Sequence, residues 1–307
     1  MNLFASVLTY PAPSANYRGE SEENRTVIQK ITYGRFEYPV ISPESIRNAL
    51  RETLAAYGLP CNRSRLHDEE QLAVRFEDFP DPDRFADDFF FGFLVAASGA
   101  DRKKILAALK DKGRDEKTFK FKRDSVFRMN LARGIEPYRN NAIFTQSPLN
   151  GEGSPWRNAT TSALLHRETA LTAFQYPFAL NLDDCKKKPD WTKALLKAIG
   201  ELNDVAGNHA RSYYEMAPAS IVLRLTKQLV AGYDTYGYDQ SGGYPEVIDG
   251  IIKGDYPGGE FHVGGKIVKD MDLKRVEALE GKGVKLERDP RKLLATVSEK
   301  ALSKKGA

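Results

Sequence analysis

The sequence predicts an α+β protein in which strands and two amphipathic helices follow one another so that a split strand-helix-strand core of the ferredoxin type can form, interrupted by large insertions. Three observations carry that expectation. Leu3 to Thr9 is apolar on both faces, the pattern of a strand covered from both sides. Thr172, Phe174, Tyr176, Phe178, Leu180 and Leu182 alternate with smaller or polar residues, and Ile221, Leu223 and Leu225 repeat the alternation, so both stretches read as strands with a well-buried face. Two other stretches carry the helical period instead.

After the first strand, Ser14 to Lys30 reads as a polar loop that concentrates Asn16, Arg18, Asn24, Arg25 and Lys30, with Gly19 allowing close backbone approach. Amides and guanidiniums together suit sugar and phosphate oxygens better than a protein core. A hairpin turns around Gly34. Ser42 then caps a helix with Pro43 at its first position, where a missing N–H costs nothing. Its stripe is Ile46, Ala49, Leu50, Thr53, Leu54 and Tyr57, and Gly58 stops it. Arg47 and Arg51 sit four residues apart on another face, where like charges cost about 0.2–0.5 kcal/mol. Two readings of that face are open: Glu44 and Glu52 neutralise the pair in solvent, or a phosphate sits between the arginines.

The long inserted stretch comes next. Lys117 to Arg139 interleaves Lys117, Lys120, Lys122, Arg123, Arg128, Arg133 and Arg139 with Phe119, Phe121, Phe127 and Tyr138. Charge for a backbone and rings for bases are what a single-stranded nucleic acid groove uses, and Lys122, Arg123 and Arg128 are the RNA contacts expected here. The alternating FKFK at 119–122 also describes an amphipathic strand. Arg139 to Arg167 holds Asn, Gly and Pro without a helical period, which reads as an extended hairpin or loop. Asp190 is expected to cap the second helix, with Trp191, Leu195, Ile199 and Leu202 on its buried side and Lys193, Lys197 and Glu201 in water. Gly207-Asn208-His209-Ala210-Arg211 follows, a turn whose N–H groups could converge on an anion beside His209 or Arg211.

Composition narrows the function classes. The 307 residues carry a net charge of +4, but unevenly: 101–140 hold 13 basic against 6 acidic residues, and 61–100 hold 4 against 9. Opposite patches of this kind allow copies of one chain to meet head to tail, or they pair with each other inside the fold. Cys61 and Cys185 form no CxxC, so neither a disulfide framework nor a zinc site is expected, and a reducing cytoplasm fits. The N-terminus lacks a leader pattern and Phe89–Ala97 is too short to span a bilayer, so no membrane association is expected. The four histidines show no metal spacing, no nucleophile elbow occurs, and GGEFHVGGK fails as a phosphate loop because Glu260 and Ile267 occupy required positions. No enzyme and no cofactor are expected.

The run NRTVIQKITYGRFEYPVISPESIRNALRETL, after a short strand and an Asn-rich, Arg-bearing loop, resembles the CRISPR-associated Cascade backbone subunit family in its DevR-type autoregulator group. SALLHRETALTAFQYPFALNLD and AGNHARSYYEMAPASIVLRLT resemble it more weakly, and beyond about residue 235 the resemblance fades. It implies an RNA-recognition-motif-like palm at about 1–80 and 165–235, web and thumb insertions at about 81–167, and a C-terminal extension at about 236–307, all in one elaborated domain. It further implies a non-enzymatic protein that polymerises along a guide crRNA in a type I complex of the I-B kind. The implied partners are further copies of itself, a large subunit, a repeat-handle-binding subunit, and target DNA reached through the guide. By the same resemblance Arg139–Arg167 would be the thumb, with Phe144 or Leu149 wedging between bases. Related type III subunits cut RNA with a loop aspartate, which leaves Asp124, Asp183 and Asp184 as candidates for the alternative of a metal-dependent endoribonuclease. A stand-alone regulatory RNA-binding protein is the other alternative.

Overall fold

The computed structural model describes residues 1–22, 25–65, 74–139, 141–146, 164–205 and 213–303. Its centre is a mixed sheet of nine strands: β1 (Asn2–Leu8), β2 (Lys30–Tyr33), β3 (Phe36–Ile41), β4 (Phe127–Met129), β5 (Ala132–Gly134), β6 (Phe174–Asn181), β7 (Ser220–Thr226), β8 (Phe261–Gly265) and β9 (Lys285–Glu287). Their order is β9-β8-β7-β1-β6-β5-β3-β2, and β4 also lies against β6. The first strand is central, antiparallel to both neighbours, with Leu3, Ala5 and Val7 opposite Leu180, Phe178 and Tyr176 on one side and Leu225, Leu223 and Ile221 on the other.

Those alternating residues face three helices: α1 (Pro43–Ala56), α4 (Pro189–Gly200) and α7 (Pro290–Leu302). Ile46, Ala49, Leu50 and Leu54 of α1, Leu195 and Ile199 of α4, and Leu293, Leu294 and Val297 of α7 complete the main core. Burying side chains of this size removes roughly 1.5–3 kcal/mol of exposed apolar surface each, which makes this face the dominant source of stability. The sequence signals for α1 hold: Ser42 Oγ accepts from the Ser45 amide at 3.3 Å, Pro43 stands at the first position, and Gly58 takes φ +81°. At α4 the expected cap is corrected. Lys188 is the cap residue, Pro189 leads the helix, and Asp190 lies in its first turn without a capping bond. Thr192 Oγ1 instead donates to the Cys185 and Lys188 carbonyls.

The opposite face of the sheet is covered by the segment after residue 230, to which the sequence assigned no role. Tyr233, Tyr238, Tyr244, Val247, Ile248 and Ile251 join Phe261 and Val263 of β8 over Leu8 and Val222, forming a second core. Helices α5 (Pro245–Lys253) and α6 (Leu273–Gly281) belong to this layer. β7 is consequently buried along its whole length.

Within the insertion, α2 (Ala86–Phe91) carries Phe89, Phe90 and Phe91 into the main core and α3 (Gly99–Asp111) follows. The FKFK stretch at 119–122 is not the amphipathic strand its alternation predicts. Only Lys122–Arg123 is extended, paired with Phe93–Leu94, while Phe119 and Phe121 stack edge-on with each other and Phe119 with Phe79. The polar loop of the sequence reading is also corrected: Tyr17–Glu22 and Arg25–Ile28 are paired antiparallel strands. They continue into Leu164–Glu168, which is antiparallel to Ala142–Gln146, so a second, four-stranded sheet unites the amide-rich segment with the stem of the expected thumb hairpin.

Candidate nucleic-acid interface

Lys30 fastens the second sheet to the first. Its Nζ lies 3.3 Å from Glu168 Oε2 and 4.5 Å from the centre of the Tyr138 ring, and the same Glu168 oxygen accepts from the Ile28 amide at 3.2 Å. Glu168 is almost fully buried, so the pair is a tie rather than a solvated contact. Asn16 is buried as well. Its Nδ2 donates to the Val40 carbonyl at 2.9 Å, and its own carbonyl accepts from Gln29. Arg18 and Arg25 stand on the two paired strands Tyr17–Glu22 and Arg25–Ile28. Asn24, Leu149, His209 and Arg211 lie outside the described residues.

The two arginines of α1 part company. Arg51 is 7% exposed, with Nε 3.1 Å from Asp87 Oδ2 and Nη1 donating to Asn48 Oδ1 at 2.5 Å. Asp87, fully buried on α2, also accepts from the Asn62 amide at 2.7 Å and from Arg63 Nε at 3.2 Å. Two guanidiniums share this carboxylate, and Arg63 Nη2 reaches Asp88 Oδ1 at 3.5 Å. A carboxylate removed from water needs such partners. Burial, then the neighbouring Arg63, lowers Arg51 to about 10 against the opposing pull of Asp87, and Arg51 remains charged at neutral pH. The expected two-arginine phosphate clamp is therefore corrected: Arg51 serves the interior, because α2 brings a buried acid to it.

Arg47 keeps a different position. It is about a quarter exposed, its Nη1 is 3.5 Å from the exposed Glu44, and its buried Nε has no hydrogen-bond partner. Burial pulls its pKa down, Glu44 opposes that, and Arg63 adds to it. A donor left unsatisfied in this way costs about 1–3 kcal/mol, which an anion would relieve.

Among the insertion residues, Lys122 and Arg128 are exposed, and Arg128 Nε donates to the Ser125 carbonyl at the limit of 3.5 Å. Arg123 points inward instead. Its Nη1 donates to the Phe89 carbonyl at 2.5 Å and lies near that of Asp88, its guanidinium is 5.2 Å from the Phe89 ring, and burial lowers its pKa. It closes the end of α2. Phe144 is 60% exposed, on the stem of the hairpin against the His166 ring at 4.1 Å, and not at the tip.

The unequal charge of 61–100 and 101–140 is partly neutralised between these two segments. Lys112 and Arg114 reach Asp78 at 2.9 and 3.2 Å, and Arg114 reaches Asp81 at 3.9 Å. Of the candidate aspartates, Asp183 binds the N-terminal ammonium at 3.0 Å and Asp184 binds Lys187 at 2.7 Å. Among the described residues no three His, Cys, Asp or Glu side chains are grouped to hold a metal ion, and no helix is long and apolar enough to cross a membrane. Both thiols are held by burial at about 12.

Sequence reasoning passed over one group. Arg133 on β5 lies 5.0 Å from the Tyr236 ring and 5.6 Å from each of Tyr33 and Tyr38. The signal was present, since TYGRFEY supplies two of the rings from a hairpin, but the register joining it to Arg133 is not local.

No family model matches the chain. The "CRISPR-associated protein Cas7/Cst2/DevR" of Myxococcus xanthus (strain DK1622) is 28% identical over 294 residues, covering 92% of this chain and 92% of that protein. Among solved structures, a chain of a "CRISPR RNA-guided surveillance complex, pre-nicking" superposes with TM-score 0.62 at 11% identity, across 98% of this chain and all of that one. A chain of a "CRISPR RNA-guided surveillance complex" gives TM-score 0.57 at 13% identity with the same coverage. Along nearly its whole length, then, this chain is similar to the CRISPR-associated Cas7/Cst2/DevR protein of Myxococcus xanthus and has the fold of chains found in RNA-guided surveillance complexes.

Proposed function

We propose that this protein is a guide-RNA-binding backbone subunit of a type I CRISPR interference complex, of the I-B kind, working without catalysis in the cytoplasm. Several copies stack along one crRNA and hold its sugar-phosphate spine, leaving the bases free to pair with target DNA. A large subunit and a repeat-handle-binding subunit complete the assembly. The observation that carries this reading is the relationship to a Cas7/Cst2/DevR protein over 92% of both chains.

The chain is read as one elaborated domain. Its palm is a ferredoxin-like, RNA-recognition-motif-like core at about 1–80 and 165–235, supported by the order β7-β1-β6 with α1 and α4 on one face; β4 and β5, beside β6, come from within the inserted stretch. The web and thumb occupy about 81–167, and 236–307 is an extension whose residues 238–284 help to cover the second face of the sheet while α7 joins the main core. Arg18, Asn24, Arg25, Arg47, Lys122, Arg128, His209 and Arg211 would contact the RNA backbone, and Phe144 or Leu149 would wedge between bases. Asn16, Lys30, Arg51 and Arg123 support that surface from within, in keeping with their internal partners.

The test is the salt dependence of binding to several single-stranded RNAs of unrelated sequence, followed by fluorescence anisotropy. Backbone recognition predicts similar affinities for all of them and a logarithmic slope of about −0.7 for each phosphate contacted. A flat salt response, or tight binding of one sequence and not the others, would contradict it.

A further inference from the structure

Among the described residues, the face of the central sheet opposite α1, α4 and α7 is covered at one end only. Over β1, β7 and β8 lies the layer built from Tyr233 to Val284. At the other end, register places Tyr33 opposite Phe36, Ile31 opposite Tyr38, and Val40 opposite Arg133, so these side chains share that face. Tyr33 and Phe36 are 66% and 57% exposed there, flanking a tight turn in which Gly34 takes φ +63°.

Arg133 stands where the covering layer ends. Three tyrosine rings surround its guanidinium at 5.0–5.6 Å. Among the described residues its one polar contact is a long one, from Nη2 to the Tyr236 carbonyl at 3.5 Å, and its buried Nε has no partner there. No described carboxylate lies within ion-pair distance of it. A guanidinium without a counterion, beside rings that keep an open π-face, is complementary to one nucleotide: the cation takes the phosphate and the rings stack on the base.

We infer that Tyr33, Phe36 and Arg133 form a nucleotide-stacking platform on the bare end of the sheet, contacting the guide strand at a base as well as at its backbone. This rests on the RNA-binding reading above and adds to it a base-stacking site on the central sheet, where the reading above has only backbone contacts and places its base wedge on the thumb.

The test uses the full-length protein and two single-stranded RNAs, one intact and one carrying abasic sites along the bound stretch. Tyr33→Ala and Phe36→Ala remove exposed rings and leave the fold intact. Together they should weaken the intact RNA roughly five- to 150-fold, the range for one stacked base, and leave the abasic RNA nearly unchanged. Arg133→Gln should weaken both RNAs, and Arg133→Lys should restore the abasic RNA more than the intact one. If the wild-type protein binds neither RNA, the parent reading fails. If the wild type binds and the folded Tyr33→Ala/Phe36→Ala variant binds equally well, the platform is overturned and the parent reading stands. A variant that loses self-association while keeping its RNA affinity also overturns it, making the patch a contact between copies.

Discussion

Replacing Arg51 with Ala separates its structural role from the phosphate-binding role its sequence position advertises. The side chain is 7% exposed and gives up an ion pair to Asp87 at 3.1 Å and a hydrogen bond to Asn48 at 2.5 Å. It also leaves the Phe91 ring, over which its guanidinium lies 5.7 Å from the centre. Breaking a buried pair by deleting one partner costs about 3–5 kcal/mol, since the remaining charge stays in the interior. Here Arg63 still faces the same carboxylate, so the low end, about 3 kcal/mol, is expected. For a chain of this size each kcal/mol moves the melting temperature by about 2–4 °C, giving a drop of about 6–12 °C. Calorimetry at neutral pH measures it directly, and the drop should persist at about 0.5 M salt because ions do not screen a buried pair. RNA affinity of the folded variant at low temperature should be nearly that of the wild type. A melting temperature within about 2 °C of wild type, combined with a clear loss of RNA affinity, would refute the assignment of Arg51 to the interior.

Arg47→Ala should do the reverse, leaving the melting temperature within a few degrees and flattening the logarithmic salt slope of RNA binding by about 0.7, one phosphate contact; an unchanged slope would remove α1 from the interface. Glu168→Gln removes the carboxylate charge that pairs with Lys30 and accepts from the Ile28 amide, so limited proteolysis should cut the second sheet faster while the main core resists; equal protection in both proteins would contradict the tie. His262 is buried against Lys300, and burial first, then that lysine, lowers it to about 4. Unfolded histidine titrates near 6.5, so between those values the unfolded chain takes up a proton that the folded chain refuses, and stability falls as pH drops through that window, by about 3 kcal/mol at full effect. His262→Gln should lose that component of the pH profile in denaturant titrations, and an unchanged profile would contradict it. Cys61 and Cys185, held near 12, should resist alkylation at pH 8 while folded and react after unfolding; rapid labelling of either native thiol would contradict their burial.

What the sequence made legible was local. Ser42, Pro43 and the stripe from Ile46 to Leu54 specify α1 within one segment, and the alternations of 174–181 and 220–226 specify the two strands that flank β1. What it hid depended on distant pairing. Arg51 looks equivalent to Arg47 on a helical wheel, but it borders the buried stripe, and its partner Asp87 lies 36 residues away. The sign that could have found it is FADDFFF, where two acids in an aromatic run require buried cations. Likewise, the amides and arginines near the N-terminus read as a loop because the strands 17–22 and 25–28 carry little apolar alternation, and their sheet is completed by 164–168 from the far side of the insertion. The cover over the second face of the sheet was illegible for the same reason. Helix signals in 245–253 and 290–302 say nothing of which layer each joins.

The assembly itself is tested most directly by sedimenting the protein with single-stranded guide RNAs of increasing length. The account predicts complexes whose mass rises in equal steps, one further copy for each fixed increment of nucleotides, with Arg47→Ala shifting the steps to lower salt. One copy per RNA regardless of length would contradict it.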